Sequence, residues 1–105
     1  MTRTNISLVV NTKNAEETLA RCLESASSIV DEIIIADMDS TDNTRTIAKK
    51  YQAKIIQVPN IGYVEPARNA AIKQAKSTWV LLLDADETLP SSAKKHILKL
   101  IKGLS

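Results

Sequence analysis

The chain has 105 residues, of which 44% are hydrophobic and 25% charged, with a net charge of +2. That is the size and composition of one globular domain able to bury a core. So small a positive charge, with two Tyr, one Trp and no Phe, offers little to hold a phosphate backbone or to stack on bases, so nucleic acid is excluded as a partner. A single cysteine excludes an internal disulfide and suits a reducing compartment, and no apolar run is long enough to cross a bilayer. The expectation is a soluble, cytoplasmic protein, with the inner face of a membrane as a place of peripheral attachment.

Four short apolar runs mark strands, at Ile6–Val10, Ile33–Ala36, Ile55–Val58 and Trp79–Leu83. Helical periodicity fills the intervals between them. After the first run, Asn14 with Glu17 three residues on reads as a capping box, and Leu19, Cys22, Leu23 and Ala26 form one apolar stripe. After the second come the polar turn DMDSTDNT and then Thr44, Ile47, Ala48 and Tyr51 at helical spacing. Pro59 and Gly62 mark a loop, and Pro66 suits the first turn of an Ala-rich helix. Pro90 opens a last helix with Ala93, Ile97, Leu100, Ile101 and Leu104 inward and Lys94, Lys95, His96 and Lys99 on a solvated face.

The alternation β-α-β-α-β-α-β-α predicts a parallel sheet covered by helices on both faces. In such a sheet ligands bind beyond the carboxyl ends of the strands. The polar residues there are Asn11, Thr12, Lys13 and Asn14; Asp37, Asp39, Ser40, Thr41 and Asp42; Pro59, Asn60 and Gly62; Arg68 and Asn69; and Asp84, Asp86 and Glu87. The run Trp79–Leu83 is expected to be buried on both faces, which forces Asp84 and Asp86 out at its end. Carboxylates crowded on one rim repel unless a cation or a hydrogen-bonding ligand sits between them. Hard oxygen ligands favour Mg2+ or Mn2+, completed by phosphate oxygens. With only two glycines, both the dinucleotide fingerprint and the P-loop are excluded. Simpler roles stand beside these: helix capping for Asp37 and above all Asp42, and a surface ion pair for Arg68.

Three blocks in order carry a family resemblance: ISLVVNTKNAEETLARCLES, DEIIIADMDSTDNT and ARNAAIKQAKSTWVLLLDADE. They resemble the opening strand and helix, the acidic turn, and the Arg-Asn helix with its D-x-D motif in family-2 nucleotide-sugar glycosyltransferases of GT-A fold. Among these the chain looks nearest to bacterial enzymes that glucosylate lipopolysaccharide core. The resemblance implies a Rossmann-like sheet of order 3-2-1-4 forming part of a GT-A fold. It implies binding of a nucleotide diphosphate sugar, a UDP-sugar above all, through Mg2+ or Mn2+, for transfer to an acceptor hydroxyl on a glycan or lipid-linked saccharide.

Residue by residue, it implies that Thr12 and Asn14 line the nucleoside pocket with Glu16 nearby, and that Asp37 accepts a hydrogen bond from the base. Arg68 then approaches the base and diphosphate, Asp84 faces the ribose or sugar, and Asp86 binds the metal. The chain departs from the pattern at Asn11, where proline is usual, at Met38, which replaces a carboxylate, and at Asp39, which replaces glycine. Only fifteen residues follow Pro90. The expectation is therefore a single nucleotide-sugar-binding domain over residues 1–105, truncated relative to a full enzyme, with the catalytic base outside it.

Two other readings compete. LLLDADETL also resembles the nucleophile motif of haloacid-dehalogenase-type phosphatases, with Asp84 attacking phosphate and Asp86 as acid/base. That family needs a later acidic pair, and no Asp or Glu follows Glu87. The other is a nucleotide- or metal-binding fragment without turnover. Finally, Trp79–Leu83 carries nothing to discourage a partner strand, so two outcomes are open: a homodimer through the sheet edge, or a monomer whose last helix, Pro90–Lys102, folds over that edge.

Overall fold

The computed structural model describes residues 4–59, 62 and 65–104. Its elements are β1 (Ile6–Thr12), α1 (Leu19–Ala26), β2 (Glu32–Asp37), α2 (Thr44–Lys50), β3 (Lys54–Gln57), α3 (Glu65–Gln74), β4 (Trp79–Asp84) and α4 (Ser91–Leu104). The four strands form one parallel sheet in the order β3-β2-β1-β4, as the alternation and the resemblance imply. Asn60, one of the polar residues expected at the strand ends, lies outside the described residues.

Apart from Ser7 and the polar residues at their ends, the two central strands are apolar, because both of their faces are covered. Successive side chains alternate across the sheet. On one face Leu8, Val10, Ile33 and Ile35 pack with Leu19, Cys22, Leu23 and Ala26 of α1 and Ala48 of α2. On the other, Val9, Ile34 and Ala36 pack with Met38 and with Ala67 and Ala71 of α3. The expected α1 stripe is thus the buried one, and Pro66 sits in the first turn of α3 as expected.

Strand β4 corrects the sequence reading. Leu83 is 9% exposed, but Val80 and Leu82 are 38% and 43% exposed, so the strand is not buried on both faces. The register explains this: Val80 and Leu82 pair with Ser7 and Val9, on the face that α3 covers. The small Ala67 and Ala71 seat α3 on β1 and β2, and its cover stops short of β4. The last helix does not close the gap. Ile97, Leu100 and Ile101 face Ile6, Trp79, Val80 and Leu81 across a groove of about 250 Å³. Leu100 is 51% exposed, so it is not the inward residue its spacing suggested; the side chain of Leu104 lies outside the described ones. The outer edge of β4 pairs with no strand among the described residues.

The start of α1 is a second correction. The helix begins after Thr18 with no side-chain cap, and Asn14 takes a left-handed conformation, φ 50°. Its side chain is drawn across to the acidic turn instead of back to its own helix.

At the amino end of the sheet one carboxylate joins three segments. Glu32 accepts hydrogen bonds from Ser7 Oγ on β1 and from the Lys76 amide, at 2.6 Å, on the approach to β4. Partial burial works to raise its pKa, but the hydrogen bonds from Ser7 and Lys76 and the Lys76 charge outweigh that and hold it below the usual carboxylate range. A group depressed in the folded state stabilises above its unfolded pKa, and that contribution is lost as pH falls through the folded value. Between about pH 5 and about pH 3, the melting temperature of the wild type should therefore fall more steeply than that of Glu32→Gln. Equal acid sensitivity in the two proteins would contradict this account of the rim.

Candidate functional site

The site lies where the strand order reverses, at the carboxyl ends of β1, β2 and β4. Register sets Thr12 beside Asp37 and Asn11 beside Asp84. Every predicted site residue comes from this rim or from the loops and helix next to it, and they form two groups.

The first group is closed on itself. Asp37 is fully buried. Its Oδ1 accepts hydrogen bonds from Thr12 Oγ1 and Ser40 Oγ, both at 2.6 Å, and its Oδ2 accepts one from the Ser40 amide at 3.1 Å. Arg45 Nε on α2 stands 3.9 Å from Oδ2, and Arg45 Nη2 donates to the Ser40 carbonyl at 3.3 Å. A buried carboxylate needs such partners, since without them its desolvation would be prohibitive. Asp37 and the equally buried Thr12 thus form an internal anchor between the ends of β1 and β2. Met38 is also turned inward, into the core beneath α3.

Exposed residues on the same side hold the two loops together. Asn14 Oδ1 accepts from the Thr41 amide at 2.7 Å and the Asp42 amide at 3.3 Å, while the Asn14 amide donates to Ser40 Oγ at 2.8 Å. Asp42 accepts from the Thr44 amide at 2.9 Å and from Thr44 Oγ1, at the first residue of α2, which fulfils its capping role. Its other oxygen accepts from the Glu16 amide at 3.2 Å, and Glu16 Oε2 accepts from the Asn43 amide at 3.3 Å. Asp39 adopts φ 62°, the left-handed conformation for which glycine is usual. Asp tolerates it better than most residues, and Lys13 Nζ donates to its carbonyl at 2.7 Å.

The second group is open. The Asp84 side chain is 55% exposed and its Oδ1 lies 3.5 Å from Arg68 Nη2 on α3. The Glu87 amide donates to the Asp84 carbonyl at 2.9 Å, and the Asp84 amide donates to Glu87 Oε1 at 2.7 Å. These two bonds close a tight turn. Asp86 stands exposed at its tip and makes no hydrogen bond or ion pair among the described residues. Beneath the turn, burial, together with the charges of Glu87, Asp86 and Asp84, pushes the Cys22 thiol up to about 11, so it is a core thiol and not a nucleophile.

Among the described residues no three His, Cys, Asp or Glu side chains converge as a metal cage. One free carboxylate beside an ion-paired one nevertheless suits a hard cation that takes its other ligands from phosphate and water. Arg45 escaped the sequence reading altogether. Nothing local ties residue 45 to residue 37; the only signal was that a carboxylate at the end of a buried strand needs a cation nearby.

The sequence profile described as glycosyl transferase family 2 matches residues 7–104. The chain belongs to that family. An uncharacterized glycosyltransferase of Rickettsia typhi is 41% identical over 92 residues, covering 88% of this chain and 31% of its own. The crystal structure of S. aureus TarS 1–349 superposes with a TM-score of 0.81 at 29% identity, over 93% of this chain and 32% of that one. Glucosyl-3-phosphoglycerate synthase from Mycobacterium tuberculosis, solved with Mn2+, UDP and glucosyl-3-phosphoglycerate, gives 0.67 at 26% identity, over 76% and 33%. The chain thus spans about a third of the length of these relatives. Family membership sets aside the phosphatase reading of the Asp84–Thr88 segment.

The split between the two groups predicts different costs of mutation. Asp37→Ala, which strands buried donors, should destabilise the fold by about 3 kcal/mol. Asp86→Ala should change stability by less than about 0.5 kcal/mol. Urea denaturation of both variants checks this, and similar midpoints would contradict the assignment.

Proposed function

We propose that this chain is the donor-binding part of a glycosyltransferase and binds a UDP-sugar together with Mg2+ or Mn2+ across the carboxyl rim of β1 and β4. The observation that carries the reading is the open pair of Asp84, held 3.5 Å from Arg68, and Asp86, exposed and without a partner among the described residues, at the point where the strand order reverses. The structural neighbour solved with Mn2+ and UDP, glucosyl-3-phosphoglycerate synthase, supports it. Asp86, with Asp84 beside it, would hold the metal, which when bound supplies neutralisation of the leaving diphosphate. Arg68 adds a second positive group on the same side, and its contact with Asp84 keeps it on the rim until a phosphate competes for it.

The nucleoside side is lined by what remains exposed there: Asn11 in part, Asn14 and Glu16. Thr12 and Asp37 shape that side from beneath without touching the ligand. In this reading, deprotonation of the acceptor hydroxyl falls to a carboxylate in the part of a full-length relative that this third does not span. This chain alone then binds donor without glycosylating an acceptor.

Calorimetric titration with UDP, with and without Mn2+, tests the proposal. Binding should depend on the metal, and Asp86→Ala should weaken it by roughly 1–3 kcal/mol. Equal affinity with and without metal would contradict it.

A further inference from the structure

The turn that carries Asp86 is fastened at both ends to a single turn of α1. At its start, Cys22 Sγ donates to the Asp84 carbonyl at 3.5 Å. At its end, the Leu89 amide donates to Ser25 Oγ at 2.9 Å, and that hydroxyl donates to the Cys22 carbonyl at 2.7 Å. Between these points the turn is closed only by the reciprocal bonds of Asp84 and Glu87, while Ala85 and Leu89 rest against the α1 core. The support is rigid, because Leu19, Cys22, Leu23 and Ala26 are fully buried. A thiol is a weak donor, so the hydroxyl of Ser25 is the stronger of the two ties.

We propose that Ser25 is a positioning residue for the metal-binding carboxylate: it fixes the far end of the turn and so holds Asp86 where a cation shared with a diphosphate needs it. This rests on the metal-dependent donor binding proposed above. Ser25 touches neither metal nor donor; it acts through the Leu89 amide. Groups behind a metal ligand commonly govern affinity nearly as strongly as the ligand does, and a carboxylate on a loose turn loses the preorganisation that makes binding cheap.

The test is calorimetry with UDP and Mn2+ on the wild type, Ser25→Ala and Ser25→Thr, with amide hydrogen exchange on the same proteins. In Ser25→Ala the UDP affinity in the presence of Mn2+ should fall about tenfold, the metal-free affinity should not change, and exchange should quicken at Glu87 and Leu89. Ser25→Thr, which keeps a hydroxyl able to bond the carbonyl three residues back, should restore both. Affinities that fall together with and without metal, or exchange that quickens throughout the chain, would reduce Ser25 to a general stabiliser and overturn the proposal. Unchanged affinity and exchange would overturn it as well. A wild type with no metal dependence would instead defeat the donor-binding reading, and the positioning role with it; the wild-type titration thus separates the two failures.

Discussion

A carboxylate with no access to solvent holds the rim of this domain together. Asp37 ends β2, and its partners come from the end of β1 (Thr12), from the turn that follows (Ser40) and from α2 (Arg45). Removing water from a charge costs several kcal/mol, which only a full set of partners offsets. The four segments must therefore meet in one arrangement or not at all. Once they meet, the loop after β1 is held against the acidic turn through Asn14, Asp42 and Glu16. Asp39 is carried into a left-handed conformation on the way.

This anchoring divides the rim's carboxylates by role. Asp37 and Asp42 spend their oxygens on the protein. Asp84 and Asp86 keep theirs at the surface, one beside Arg68 and the other without a partner among the described residues. The second group lies at the ends of β1 and β4, the place where open parallel sheets of this topology take ligands. The domain's other exposed feature is β4 itself, whose Val80 and Leu82 lie beyond the cover of α3. The chain matches about a third of each relative's length, and in it the core is complete around β1 and β2 but thin around β4 and α4.

Much of this was legible in the sequence, and the exceptions have physical causes. Runs such as Ile6–Val10 and Ile33–Ala36 show strands enclosed on both faces because all their positions but Ser7 are apolar, and the alternation with helices implies the parallel sheet. The same signal misleads at Trp79–Leu83: an apolar run shows what the side chains prefer, not whether a helix reaches far enough to cover them. Asn14 carries a local capping signature, but its partners lie in the Thr41–Asp42 turn, a tertiary contact no short window contains. The internal partners of Asp37 were not legible, since residue type alone does not say whether a carboxylate at a strand end turns inward. Asp84 and Asp86 fall at the carboxyl end of β4 as expected although that strand is not buried on both faces, since even a half-covered strand disfavours an unpaired carboxylate within it.

The most direct test of this division is paramagnetic line broadening by Mn2+ in the amide spectrum of the chain saturated with UDP. The account predicts that broadening centres on the segment from Asp84 to Thr88, with Asn11 and Arg68 next, and spares the amino-end rim around Asn5, Glu32 and Thr78. Broadening centred on the turn from Asp37 to Asp42, with the Asp84–Thr88 segment unaffected, would contradict it.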